Sequence, residues 1–90
     1  MKICKRCVVS GRVQGVYYRQ STLEKVASLG LKGWVRNLES GEVECVICGE
    51  DTDVEALCHW LHQGPPSAKV THVAIDEIPW EEHNAFSIVR

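Results

Sequence analysis

The segment Gly11-Arg12-Val13-Gln14-Gly15-Val16-Tyr17-Tyr18-Arg19 holds the residues best placed to do chemistry in this 90-residue chain. A β-like apolar run, Ile3 to Val9, leads into it, and a helix-like run, Tyr18 to Leu29, follows. Two glycines and an arginine therefore stand where a strand turns into a helix. Backbone N–H groups of a glycine-containing turn converge on an anion, and the helix N-terminus adds favourable partial charge. Arginine adds a permanently charged planar fork that matches phosphate oxygens. The pattern points to a phosphate-binding loop of Arg12, Val13, Gln14, Gly15, Val16, Tyr17 and Tyr18, with Arg19 as its cation. Arg12 either touches the ligand or is a solvated loop charge. Tyr17 and Tyr18 pack or border the site. Gly11 and Gly15 read as turn glycines that need positive φ.

The elements that must position this loop follow from periodicity. Residues 3–10 read as a strand closed by Ser10 and Gly11, and residues 18–29 as a helix ended by Gly30. The helix carries an apolar stripe of Leu23, Val26, Ala27 and Leu29. Residues 32–37 form a second strand, 38–41 a turn, and 42–48 a third strand. In that third strand Val43, Cys45 and Ile47 face one way and Glu44, Val46 and Cys48 the other, which predicts a half-buried strand. A second helix spans 53–63, with Val54, Leu57, Cys58 and Leu61 inward and a capping box of Thr52 and Glu55. Gly64-Pro65-Pro66 stops it. A fourth strand lies within 68–78 and a short terminal one at 86–88.

The order βαββαβ plus a short strand predicts an α+β, ferredoxin-like split βαβ sandwich, an antiparallel sheet with both helices on one face. Strand 3 then lies between strands 1 and 2, which share a direction through a right-handed crossover. The carboxyl ends of strands 1 and 2 reach one sheet edge. The Gly11–Val16 loop and Asn37 meet there, two strand spacings or roughly 10 Å apart. A phosphoryl group and a water fit that gap.

These residues resemble the acylphosphatase family. The pattern G-x-V-Q-G-V-x-[FY]-R is matched by Gly11, Val13, Gln14, Gly15, Val16, Tyr18 and Arg19. The pattern G-W-V-x-N, a short turn and G-x-V is matched by Gly33, Trp34, Val35, Asn37, Gly41 and Val43. G-P-P-x-A-x-V falls at 64–70, and a terminal F-x-I at Phe86 and Ile88. Two family features differ here: Leu38 stands where Thr is frequent, and Cys45 where Gly is common. The resemblance implies hydrolysis of carboxyl-phosphate anhydrides to carboxylate and phosphate. It implies that Arg19 and loop N–H groups bind the phosphate and that the Asn37 side chain orients the attacking water. A carboxamide cannot deprotonate water at neutral pH, but its oxygen accepts a water hydrogen and its nitrogen donates. As a bare residue, Asn37 is also a common strand-ending turn residue. The carboxylate leaving group needs no protonation, so the expected chemistry is metal-free and without cofactor.

Composition narrows the alternatives. Net charge is −2 and the chain is 44% apolar. No basic block grips nucleic acid or an anionic membrane. The N-terminus lacks the apolar core of a signal peptide, and no run is long enough to span a bilayer. The expectation is one domain over 1–90, cytoplasmic and monomeric, acting on a small acyl phosphate with no nucleic-acid or membrane partner. Two other readings compete. One is a non-catalytic phosphate- or carbamoyl-phosphate-binding module of the same fold. The other is an RNA-binding sheet, against which stands the lack of aromatics among Arg6, Val8, Ser10, Glu44, Val46 and Cys48.

His59 and His62 share a helix side without further ligands near them in sequence, so they read as a solvated face. The odd cysteine count (Cys4, Cys7, Cys45, Cys48, Cys58) predicts reduced thiols. One antiparallel register of strands 1 and 3 nonetheless sets Cys4 opposite Cys48 and Cys7 opposite Cys45, on different faces. Cys4–Cys48 on the open face is then the best oxidised alternative.

Overall fold

Lys2–Arg12 forms an extended strand (β1) that holds β-branched Ile3, Val8 and Val9 and carries the start of the Gly11 segment. A computed structural model describes residues 1–90. The remaining elements are α1 (Tyr18–Leu29), β2 (Lys32–Asn37), β3 (Val43–Glu50), α2 (Asp51–Leu61), β4 (Lys69–Ile78) and β5 (Phe86–Ile88). The strands form one sheet in the order β4-β1-β3-β2-β5. β3 separates β1 from β2, as the split βαβ topology requires. The sheet is mixed rather than antiparallel, because β5 runs parallel to β2. A strand returning from β4 to the far edge arrives in the direction of β2.

Both helices cover one face. Cys7, Val9, Val35, Val43, Cys45 and Ile47 from the sheet pack with Tyr18 and Val26 of α1 and Val54, Leu57 and Leu61 of α2 in one buried cluster. The inner face of α1 is Tyr18, Thr22 and Val26. Ala27 of the expected stripe is exposed. The hydroxyl of Thr22 satisfies itself by donating to the Tyr18 carbonyl at 2.8 Å, which is how a polar residue occupies a fully buried helical position. α2 begins two residues earlier than its periodicity suggested, with Glu50 as N-cap and no side-chain cap, so the Thr52–Glu55 box does not form.

The half-buried reading of β3 is corrected. Residues Val43 to Cys48 are buried on both sides, because β3 is the central strand and its second face is also covered. There Cys4, Val46 and Cys48 pack with Trp34 and Ile78. The Glu44 carboxylate, 4% exposed, is held by Arg6 and by Arg36 at 2.6 Å. Burial pushes its carboxyl up, yet the hydrogen bonds and charges of Arg36 and Arg6 together outweigh burial and hold it below the usual carboxylate range. Arg36 also lies 5.2 Å over the Trp34 ring, so that ring sits under a guanidinium.

The cysteine register is as derived: Cys4 pairs with Cys48 and Cys7 with Cys45. The expectation of five reduced thiols is corrected at one pair, since Cys4 and Cys48 form a disulfide. Direct opposition in neighbouring antiparallel strands brings the sulfurs together. This face is also not open at that point: the Glu81 backbone N–H reaches the Cys4 sulfur at 3.3 Å. Cys7, Cys45 and Cys58 remain free and buried. The Cys7 thiol is pushed far up by its hydrogen bond to Cys45 and by burial. Cys58 is pushed up by its hydrogen bond to Cys7 and by burial. Such thiols stay protonated and are poor nucleophiles. Thiol titration of the unreduced, denatured protein is expected to count three free thiols, and reduction of the 44-residue link to lower stability by about 2–4 kcal/mol. A count of five, with no change on reduction, would contradict the bridge.

Candidate active site

The site assembles from backbone first. β1 carries a bulge between Ser10 and Gly11, where the pairing with β4 shifts. Gly11 has φ 120°, and a Cβ there would lie 2.1 Å from the Lys69 carbonyl oxygen, so glycine is needed for both conformation and space. The bulge turns the chain out of the sheet into Val13–Tyr17. Gly15 follows at φ 75°, and Tyr17 takes the left-handed region at φ 62° although it is not glycine. A bulky residue held there is strained, and such residues cluster at functional sites.

This local geometry leaves donors free. The N–H groups of Val13, Gln14, Gly15, Val16 and Tyr17 donate to no group within the protein. α1 starts beside them with no side-chain cap and no acidic residue in its first turn. Uncapped helix N–H groups and free loop N–H groups together form an anion-binding concavity. Nothing negative in that first turn opposes an anion.

Arg19 lies in the first turn of α1, half-buried, with no ion pair to any carboxylate of the chain. The residue before it anchors the helix start. The Tyr18 ring is buried and its hydroxyl donates to the Leu61 carbonyl at 2.7 Å, pinning the start of α1 to the end of α2. Burial pushes the Tyr18 hydroxyl far up, so it serves as a donor and anchor and not as a nucleophile.

Asn37 ends β2. In register it faces Val43, which faces Val9 of β1, so all three lie in one row across the sheet. Asn37 shares the helix side with Val35 by alternation. Its Oδ1 is buried and has no hydrogen-bond partner in the protein. An orphaned buried acceptor is rare and points to a ligand or to solvent held for use.

Arg19 and Asn37 line one cavity of about 370 Å³, with Val13, Gly15, Tyr17, Tyr18, Gln20 and Ile88. The fold thus brings together the loop, the guanidinium and the carboxamide named from sequence. It places other loop residues differently. Arg12 is exposed, the last residue of β1, and opposes Lys69. Val16 is buried, and its carbonyl accepts from the Ser67 hydroxyl at 3.2 Å. The Gln14 side chain donates to the carbonyls of Leu38 and Glu42. Ile88 was missed as a lining residue. Its place in the terminal F-x-I pattern was the available signal, but only the parallel pairing of β5 on β2 shows why it reaches the cavity. Ser67 was also missed; it lies in the 64–70 pattern, which supports the loop from behind.

The comparisons with known proteins decide the lineage. The acylphosphatase family's sequence model matches residues 5–88. The chain belongs to the acylphosphatase family. An acylphosphatase of Acaryochloris marina is 53% identical over 88 residues, covering 98% of this chain and 95% of that one. The structure of an acylphosphatase from Coxiella burnetii superposes with a TM-score of 0.95 at 43% identity, over 98% of this chain and 93% of the other. That of Bacillus subtilis acylphosphatase gives 0.94 at 34% identity over the full length of both. The acylphosphatase fold, with its terminal strand at the sheet edge, is therefore that of solved relatives. No helix of the chain is long and apolar enough to cross a membrane.

Proposed function

We propose that this acylphosphatase hydrolyses small acyl phosphates by in-line attack of one water on a phosphoryl group held by the Val13–Tyr18 segment and Arg19. Loop N–H groups and the guanidinium contact the equatorial phosphoryl oxygens and stabilise their charge. The Asn37 oxygen accepts a hydrogen from the water, and the carboxamide nitrogen donates to a phosphate or water oxygen. The water oxygen bonds to phosphorus as the bond from phosphorus to the acyl oxygen breaks. The leaving group is a carboxylate and departs unprotonated. A phosphoryl oxygen accepts the water proton, so no side chain need act as base. Catalysis is positioning plus electrostatics, and Arg19, Asn37 and backbone amides supply both.

One observation carries this reading: Asn37, whose buried Oδ1 has no hydrogen-bond partner in the protein, lines the same cavity as an arginine without a carboxylate partner. A module that merely bound phosphate would have no use for an unpaired acceptor beside it. Net charge −2 argues against nucleic-acid partners, and a site complete within one chain supports a monomeric enzyme.

Benzoyl phosphate tests the proposal. The purified protein is expected to release benzoate and phosphate, competitively inhibited by inorganic phosphate, at a rate that EDTA leaves unchanged. Strong loss in EDTA, restored by a divalent ion, would defeat the metal-free route. Phosphate binding without turnover would restore the binding-module reading.

A further inference from the structure

Gln14 sits in the loop by sequence, but its side chain leaves the cavity. Its Nε2 donates to the Leu38 carbonyl at 2.8 Å and to the Glu42 carbonyl at 2.9 Å. Two carbonyl partners require the amide nitrogen, with both of its hydrogens used. Both acceptors belong to the β2–β3 hairpin, and Leu38 immediately follows Asn37.

The hairpin does not need this clamp to close. The Leu38 N–H already donates to the Glu42 carbonyl at 2.8 Å, and the Gly41 N–H to the Leu38 carbonyl at 3.1 Å. What Gln14 joins is two parts of the site that the sheet keeps apart, because β3 lies between β1 and β2. Asn37 depends on such a link. Its Oδ1 has no partner in the protein, so no hydrogen bond to that atom fixes its aim and the placement of the β2 end matters. The residue after it, Leu38, is the one whose carbonyl Gln14 grips.

We propose that Gln14 is a positioning residue, whose two hydrogen bonds set the Asn37 carboxamide relative to the phosphate cradle and so aim the attacking water. This rests on the water-orienting role of Asn37 given above. A small misplacement of an aligning group is costly to the rate while ground-state binding survives. Loop N–H groups and Arg19 bind phosphate without Gln14's side chain, so affinity and turnover should separate.

Gln14→Met removes both donors and keeps the bulk. On benzoyl phosphate its kcat is expected to fall about tenfold or more, while the inhibition constant of inorganic phosphate stays within about twofold. In an Asn37→Ala background the same change is expected to alter the residual rate by less than about twofold, because the effect runs through the missing carboxamide. Gln14→Asn, which keeps the amide but is one methylene too short to reach both carbonyls, is expected to show the same split. Unchanged kcat, an equal loss in both backgrounds, or phosphate affinity falling in step with kcat in both variants would overturn the proposal. Full turnover by Asn37→Ala alone would instead remove the reading of Asn37 on which it rests.

Discussion

Arg19→Lys is expected to lower kcat/KM for benzoyl phosphate by about 10³-fold or more and to weaken competitive inhibition by inorganic phosphate with it. Lysine keeps the charge but loses the planar fork. Two phosphoryl oxygens then share one compact ammonium in place of two parallel N–H donors. In the proposed binding mode the loop N–H groups donate to the same oxygens and cannot replace a lateral contact from the first turn of α1. Stability should stay within about 0.5 kcal/mol of the parent. Arg19 is half-exposed and has no carboxylate partner to lose, and Tyr18, not Arg19, anchors the helix start. Steady-state kinetics with phosphate as inhibitor, beside a thermal melt, make the check. A lysine variant with near-parent turnover would show that charge alone suffices and that the fork is not used.

Asn37→Ala is expected to lower kcat by about 10²- to 10³-fold while inorganic phosphate still inhibits at its parental constant. The division follows from geometry. The cradle and Arg19 belong to the β1–α1 junction, and Asn37 belongs to the end of β2, across β3. Removing the carboxamide leaves the cradle whole. It also removes a buried acceptor with no protein partner, so folding should not suffer and the melt should hold or rise. Loss of turnover in a variant as stable as its parent is the signature of a group kept for chemistry. If phosphate affinity fell as far as in Arg19→Lys, Asn37 would be a phosphate ligand and not a water-orienting residue.

The two variants separate binding from aiming within one small sheet, and Gln14 ties the halves. The chain has a modest core and a net charge of −2, yet the site is built for an anion. Local geometry does this work. A bulge at Gly11, a left-handed Gly15 and a left-handed Tyr17 bend five consecutive N–H groups away from any internal acceptor. Tyr17 remains 81% exposed, so burial does not compensate its strain. The conformation is held by Ser67 on the Val16 carbonyl and by Gln14 on the hairpin.

Much of this was legible in residue order. The strand-to-helix passage around Gly11–Arg19, the bounds of β2 and the cysteine register follow from rules of local spacing: period two, period 3.6, glycine where φ is positive, and the constant register of antiparallel neighbours. The places of Arg19, in the first turn of α1, and of Asn37, at the end of β2, were legible for the same reason; their roles were implied by the family resemblance. Contacts between distant segments were not legible. Period-two alternation says that Glu44, Val46 and Cys48 share a face, but not that Arg6, Arg36, Trp34 and the Glu81 segment bury it. Periodicity marked Leu23 and Ala27 as inward, whereas α2 and the sheet take the Tyr18, Thr22 and Val26 side. Cysteine count favoured reduced thiols, the register offered Cys4–Cys48 as the oxidised alternative, and the structure holds that bridge. The loop pattern contained Gln14 without saying where its amide goes. Local rules settle the backbone path because they depend on a few bonds nearby. Side-chain partners depend on which surfaces meet after the sheet closes, and that is decided by packing summed over the whole chain.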